Sequence, residues 1–390
     1  MDLPFGSGDD AFADAPLFRE LQRVMASSSG PINWELARQI GIANAQEGRD
    51  DPAPSDADRS VFEGAARVAE LHVARFTGLE PPTDVAEVRA VRRAEWVNAN
   101  TESLRTLLEP AAQKIAAAMS EASREALVGD LPPEMQAIGD LFQQLSPLLL
   151  GAQVGAVLGF LGQHVLGQYD IAVPRSGPGV LLFVVPNIAQ FERDWSLDAT
   201  DFRTAVALHE VTHRFEFARP WARERFAELL QDFLSTLTID ASAVHERLSS
   251  LDAANPEALR SLMESDEGLF GTVLDDEQRI KLGRIQSFMA AAEGYGDHVM
   301  HVLGRELLPS FGRIEEGMRR YREGEAGDPV FERLLGVEMK REQYAQGRAF
   351  CDTVVEQTDE TTLTTMWDSA EAMPSLPEIE EPRLWLARTV

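Results

Sequence analysis

The chain has 390 residues, 44% of them hydrophobic, which is enough to bury one large core or two lobes. Its formal net charge of −28 at pH 7 repels phosphate backbones and anionic lipids, so we expect no nucleic-acid partner and no membrane role. Cys351 is the single cysteine, which excludes an internal disulfide framework, and its apolar neighbours predict a buried structural thiol.

Helical periodicity dominates the N-terminal half. Residues 1–55 form a predicted arm and helices ending in a polar, proline-bearing linker, ahead of a main domain at 56–390 with lobes at about 56–219 and 220–390. No basic segment followed by an apolar core begins the sequence, so we predict a cytoplasmic protein. The predicted helices of this half span roughly 16–28, 33–46, 56–77, 83–108, 110–128 and 133–166.

Two of these helices have predicted starts. Ser55 with Asp58 has the spacing of a capping box, and Thr83, followed by Asp84 and Glu87, offers a cap with acidic residues in the first turn.

The strongest apolar run extends from Leu148 to Leu161 and carries Gly151, Gly155 and Gly159 at four-residue spacing. Such a stripe of small residues allows another helix to approach closely, either in a membrane span or in a core helix of a globular protein. The short length and polar ends of the run favour the core helix.

The chain then changes character. Two β-rich runs, Tyr169–Val173 and Val180–Val185, flank a segment rich in proline and glycine and predict a hairpin. The predicted fold is therefore mainly α with a small β-hairpin or sheet, an α+β protein. Further helices are predicted at roughly 201–218, 221–238, 275–305 and 337–357.

The sequence HEVTH at 209–213 lies within the predicted helix at 201–218, which Asp198 or Thr200 can cap. His209 and His213 are four residues apart and project from one helical face, so both can bind the same zinc ion. Glu210 can reach a water molecule there without being a ligand, which makes it the candidate general base. Two solvent-facing histidines on an amphipathic helix are the alternative, but the apolar flanks favour one zinc site per chain.

A third ligand must come from elsewhere, since position 219 is arginine rather than a further histidine. Glu293 and Asp297 are four residues apart and share a helical face if helix persists through the two glycines between them. We predict Glu293 as the third ligand, and Asp297 as acceptor of a ring N–H from His209 or His213. His298 is the next candidate ligand.

Tyr295 and His298 are the candidate donors to an oxyanion, because they lie in the same segment as Glu293. On a regular helix, however, they lie about 200° and about 140° around the axis from Glu293, whereas His301 lies about 80° away. Either the helix breaks at a glycine or the donor comes from elsewhere.

These motifs resemble an uncharacterised family of zincin-like metallopeptidases, first catalogued as a domain of unknown function and labelled by association with deazaflavin-coenzyme biosynthesis. The resemblance extends over roughly residues 60–390 and implies a mostly helical zinc hydrolase fold, with no established substrate. Arg214 departs from the general zincin pattern, in which an uncharged residue follows the second histidine; it could pair with Glu210 or point to solvent. The similar segments are Val184–Ile188, Asp201–Arg203, Ala207–His213, Pro220–Trp221, Glu293–Tyr295, Asp297–Met300, and a tail with Leu335, Gly336, Gln343, Tyr344, Gly347, Ala349, Phe350, Pro374 and Trp385.

The predicted function is a zinc metallopeptidase of gluzincin type, in which Glu210 activates water for cleavage of a peptide bond. The alternatives are a zinc hydrolase of a small amide or ester, and an inactive zincin scaffold used for binding. The strand at Val180–Val185 precedes the HEVTH helix and could bind a peptide by strand addition at a free edge, or simply cover the helix.

Overall fold

The computed structural model describes residues 30–127, 133–169, 179–236, 275–324 and 341–389. The predicted arm, the helix at 16–28 and the hairpin residues 170–178 lie outside them. The longer helices are α1 (Trp34–Gln46), α2 (Asp56–Thr77), α3 (Arg93–Leu127), α4 (Pro133–His164), α5 (Val185–Asp194), α6 (Ala199–Phe217), α7 (Pro220–Thr236), α8 (Asp276–Leu307), α9 (Phe311–Gly324) and α10 (Arg341–Gln357). Short helices follow: α11 (Glu360–Thr364), a 3₁₀ turn (Thr365–Trp367), α12 (Leu376–Glu380) and α13 (Pro382–Thr389).

The described part of the chain also contains three strands: β1 (Glu87–Val91), β2 (Gly167–Tyr169) and β3 (Val180–Val184). The fold is mainly α with one small sheet, as predicted. The sheet has the order β1-β3-β2, with β1 parallel to β3 and β2 antiparallel to it. β2 pairs antiparallel with β3, as in the predicted hairpin, but it spans Gly167–Tyr169, and most of the predicted first strand at Tyr169–Val173 lies outside the described residues. β3 is the central strand and is paired on both sides, so of the two roles considered for Val180–Val185 strand addition at a free edge is excluded.

The predicted cap of α2 is confirmed. The Ser55 hydroxyl accepts the backbone N–H of Asp58 at 3.1 Å, and the Asp58 carboxylate accepts the backbone N–H of Ser55 at 2.9 Å. The helix ends at Gly78, whose left-handed conformation (φ 65°) suits a residue without a Cβ. Local sequence therefore determines both ends of this helix.

The predicted helix at 83–108 is wrong in its first part. Residues Glu87–Val91 form β1, in register with β3, and the helical start at Thr83 does not occur. Helix α3 begins only at Arg93, because Asp51 from the linker accepts the backbone N–H groups of Arg93 and Ala94 at 2.8 and 3.2 Å. It then continues through Pro110, where the sequence predicted a break between two helices.

Helix α4 packs its glycines against α1, as the four-residue spacing predicted. A Cβ added at Gly151 or Gly155 would overlap the backbone of α1, so the close approach requires glycine there. Only 28% of the apolar window Leu145–His164 is buried, so the assignment of this helix to a core rather than to a membrane span stays a prediction. Among the described residues, this one helix is long and apolar enough to span a membrane by length and composition alone.

Helix α6 lies in the main core between α2 and α8, and contacts β2 along one side. Helix α8 also packs against α7 and α10, and Cys351 of α10 is fully buried, as predicted. Contacts of α8 with α2 and α6 cross the lobe boundary predicted near residue 219. That boundary, and the one at residue 55, remain predictions.

Candidate metal centre

Helix α6 presents the HEVTH residues to α8. Its first turn is capped by Asp198, whose carboxylate accepts the backbone N–H groups of Thr200 and Asp201, both at 3.0 Å. Of the two predicted cap residues, Asp198 therefore acts as the cap. The His213 side chain is 3% exposed and that of His209 18% exposed, so both rings face inward.

Helix α8 runs without interruption through Gly294 and Gly296 as a 32-residue helix. It thereby places Glu293 and Asp297, four residues apart, on the side facing α6, as predicted. A Cβ at Gly296 would lie 3.1 Å from the His213 ring and 3.2 Å from the His209 ring. The missing side chain leaves room for the two rings beside the helix.

Three side-chain atoms converge between the two helices. The two Nε2 atoms of His209 and His213 lie 3.1 Å apart, and Glu293 Oε2 lies 3.4 Å from the first and 3.7 Å from the second. Tetrahedral zinc with bonds of 2.0–2.1 Å separates its ligand atoms by about 3.3–3.4 Å. The triangle has the size and the donor types that a zinc ion requires.

The charges in this cluster are strongly coupled. Burial raises the pKa of Glu293, but the neighbouring imidazoles of His213 and His209 outweigh it and hold that pKa far below its usual value. Burial lowers the pKa of His213, but the carboxylates of Glu216 and Glu293 outweigh it and raise the pKa well above its ordinary value. Without a metal, protons on the histidines balance the charge of the carboxylates; a bound metal ion would displace those protons, because it needs neutral imidazoles as ligands.

Both histidines face a second carboxylate through Nδ1. Asp297 Oδ1 lies 3.6 Å from His209 Nδ1, on the predicted side but beyond hydrogen-bond distance. Glu216 Oε2 lies 2.8 Å from His213 Nδ1, within hydrogen-bond distance. Glu216 was not among the predicted site residues, although its position three residues after His213 is the spacing of side-chain neighbours on a helix.

Glu210 lies beneath the edge of the sheet. Its side chain is buried, with 7% of the residue exposed, and Gly167 of β2 lies directly over it. A Cβ at Gly167 would lie 2.7 Å from both Cγ and Oε1 of Glu210. The glycine thus allows β2 to lie against the candidate general base.

Arg214 adopts neither of its two predicted arrangements. It is 2% exposed, and its guanidinium donates to Glu70 Oε1 at 2.6 Å and to Asp84 Oδ1 at 3.0 Å. The arginine therefore connects α6 to α2 and to the segment before β1, and it is not paired with Glu210.

Tyr295 and His298 are not brought into the ligand cluster. The Tyr295 hydroxyl forms a hydrogen bond with Thr364 Oγ1 at 3.1 Å. His298 Nδ1 lies 2.8 Å from Asp352 Oδ1, and its Nε2 lies 3.1 Å from Glu360 Oε2. Because α8 stays regular, both side chains lie on faces other than that of Glu293. Their predicted role as oxyanion donors, and that of His298 as alternative ligand, therefore have no support in these contacts.

His298 is instead expected to make stability depend on pH. Burial lowers its pKa, but the hydrogen bonds to Asp352 and Glu360 outweigh burial and raise the pKa to about 9. The pKa in the unfolded chain is about 6.5, so the stabilisation is complete below that pH and is lost as the pH rises towards 9. We expect about 1–3 kcal/mol, because the two carboxylates are themselves partly exposed.

The measurement is chemical denaturation at pH 6 and pH 9.5 for the wild type and for His298→Gln. The variant should lose less stability than the wild type over this interval, since its side chain does not titrate. Arg348 also donates to Asp352, at 3.1 Å, and is unchanged in the variant. Equal pH dependence in the two proteins would contradict the prediction.

A helix that carries HEVTH, opposed by a helix that carries a glutamate near both histidines, defines the zincin class of zinc-dependent hydrolases. The chain belongs to the family of zincin-like metallopeptidases, whose model matches residues 32–386. Membership implies zinc as the cofactor.

The chain is also similar to a solved structure. The crystal structure of a “putative hydrolase with a novel fold” from Chloroflexus aurantiacus is similar to this chain, with 32% sequence identity and a TM-score of 0.65. The match covers 92% of this chain and 98% of the other. No curated protein matches the chain.

Proposed function

We propose that the protein is a zinc-dependent peptidase of gluzincin type, with His209, His213 and Glu293 as metal ligands. The observation that carries the proposal is the triangle of two imidazole nitrogens and one carboxylate oxygen, with edges of 3.1, 3.4 and 3.7 Å. The Glu293 side chain is 28% exposed and that of His209 18% exposed, so the ligand cluster is not sealed from solvent. An open side is what distinguishes a catalytic zinc site from a closed structural one.

Bound zinc supplies a Lewis acid that polarises a carbonyl group and lowers the pKa of water. Glu210 lies one residue beyond His209, about 100° around the helix, so its carboxylate flanks the ligand cluster without joining it. In that position Glu210 would accept a proton from the attacking water and later transfer it to the leaving amine. Burial beneath Gly167 holds the carboxylate in place and limits the water around it.

The substrate would bind along β2. Within the described residues, β2 pairs on one side only, with β3, and it is the strand that lies over Glu210. An extended peptide adding to its free side would place backbone carbonyls beside the ligand cluster. This supports a peptide substrate. A hydrolase of a small amide or ester would use the same three ligands and the same base, so an activity screen should include these compounds.

The first test is metal content. We expect one zinc per chain in the purified wild type, and loss of most zinc affinity in His209→Ala, because two ligands cannot replace three. Metal analysis and chelator competition measure both, with His72→Ala on α2 as the control for losing a histidine outside the cluster. A wild-type chain that holds no stoichiometric zinc after mild purification, and still none after reconstitution, would refute the proposed function.

A further inference from the structure

Glu216 is a carboxylate in an unusual environment. It lies one helical turn beyond His213 on α6, and its residue is completely buried. Buried carboxylates are strongly destabilising unless a partner compensates for the lost hydration. Oε2 meets His213 Nδ1 at 2.8 Å, whereas Oε1 is buried and has no hydrogen-bond partner among the described residues. The His213 ring is therefore the hydrogen-bond partner of this carboxylate in the described part of the chain.

The contact has a direct consequence for the other side of the ring. A proton on Nδ1 that is donated to Glu216 leaves the lone pair of Nε2 free. That same Nε2 faces His209 and Glu293 in the ligand triangle. A carboxylate behind a ligating histidine fixes the ring orientation and increases the basicity of the ligand.

The two histidines differ in how they are oriented. His213 and Glu216 lie on the same helix, three residues apart, so their contact is made within α6. The carboxylate behind His209 is Asp297, which comes from α8 and lies 3.6 Å from the ring nitrogen. His213 is thus the ligand whose orienting carboxylate comes from its own helix.

We propose that Glu216 is a positioning residue that sets the ring orientation and the tautomer of His213 for metal binding. The inference rests on the proposed zinc site. If Glu216 had a purely structural role, a different result would be expected. Replacing Glu216 would then lower the stability of the metal-free protein and leave its metal affinity unchanged.

The experiment compares two substitutions of the full-length protein. Glu216→Gln keeps an acceptor of similar shape but removes the charge, and Glu216→Leu removes the acceptor. Thr212→Val is the matched control, because Thr212 is also fully buried on α6 and donates to the Leu208 carbonyl rather than to a ligand. Zinc and cobalt affinities are measured by chelator competition, together with the visible absorption of the cobalt-loaded proteins and thermal unfolding of the metal-free proteins.

We expect zinc affinity to fall about 10-fold in Glu216→Gln and towards 100-fold in Glu216→Leu, with altered cobalt absorption in both. Thr212→Val should keep wild-type affinity and absorption. If both Glu216 variants bind with wild-type affinity and absorption, Glu216 is structural and the inference fails, while the zinc site stands. If Glu216→Leu does not fold, the result for Glu216→Gln decides. Wild-type affinity and absorption in that variant would overturn the inference. A wild-type protein that binds no metal overturns the zinc site itself.

Discussion

Glu210→Gln is expected to lower turnover by about 10²- to 10⁴-fold, the usual contribution of a general acid–base group. Glutamine keeps the shape of the side chain beneath Gly167 but cannot accept a proton. Because Glu210 is not part of the ligand triangle, zinc content and the unfolding temperature should stay close to those of the wild type. The measurement is hydrolysis of a substrate found by screening peptide libraries and small amides.

A control separates loss of the base from loss of the metal. His209→Ala should lose both turnover and zinc, whereas Glu210→Gln should lose turnover alone. Full turnover in Glu210→Gln would require a different base. A zinc-loaded wild type that cleaves no peptide, amide or ester would favour an inactive scaffold used for binding.

Gly347→Ala is expected to destabilise the protein by about 3 kcal/mol or more, at the upper end of the cost of overpacking a core. Gly347 lies on α10 at its crossing with α8, where a Cβ would overlap the carbonyl oxygen of Ala290. A Cβ at Gly294 would in turn overlap the backbone of Gly347. Neither neighbour is the flexible end of a side chain, so one whole helix would have to shift.

The matched control is Gly64→Ala in α2, where a Cβ would meet nothing within 4 Å. That substitution should stabilise the protein by about 0.5–1 kcal/mol, because alanine loses less conformational freedom than glycine in a helix. Thermal unfolding of the two variants and the wild type measures both effects. A Gly347→Ala variant as stable as Gly64→Ala would show that the helix crossing can relax.

Features encoded within a few residues were predictable. The capping box at Ser55 and Asp58 and the four-residue glycine spacing of α4 are each written in a few nearby residues of one helix, and the structure confirms both. Strand β1 was missed because its five residues are stabilised by pairing with β3, which lies far along the chain. A local window cannot distinguish such a segment from the start of the following helix.

In the candidate site, too, local features were predictable and most features that depend on tertiary packing were not. His209 and His213 share one face of α6 because helix geometry fixes their spacing. Their convergence with Glu293 of α8 follows from the packing of the two helices, and the sequence predicted it from the ligand pattern. Tyr295 and His298 were selected for their nearness to Glu293 in sequence, and a regular helix turns them towards other partners. The three-residue spacing from His213 could have identified Glu216 as a neighbour of the ligand. Its complete burial, however, depends on tertiary packing that the sequence does not reveal.

The three proposed ligands come from two helices that are far apart in the chain, with His213 on α6 and Glu293 on α8. A metal ion that joins them would bind the folded chain and be released on unfolding, so zinc binding would stabilise the fold itself. In a protein with a single cysteine, the ion would link two distant segments without a disulfide. The ion proposed for the chemistry would thus also hold together the two helices that bind it, and removal of zinc should lower the unfolding temperature.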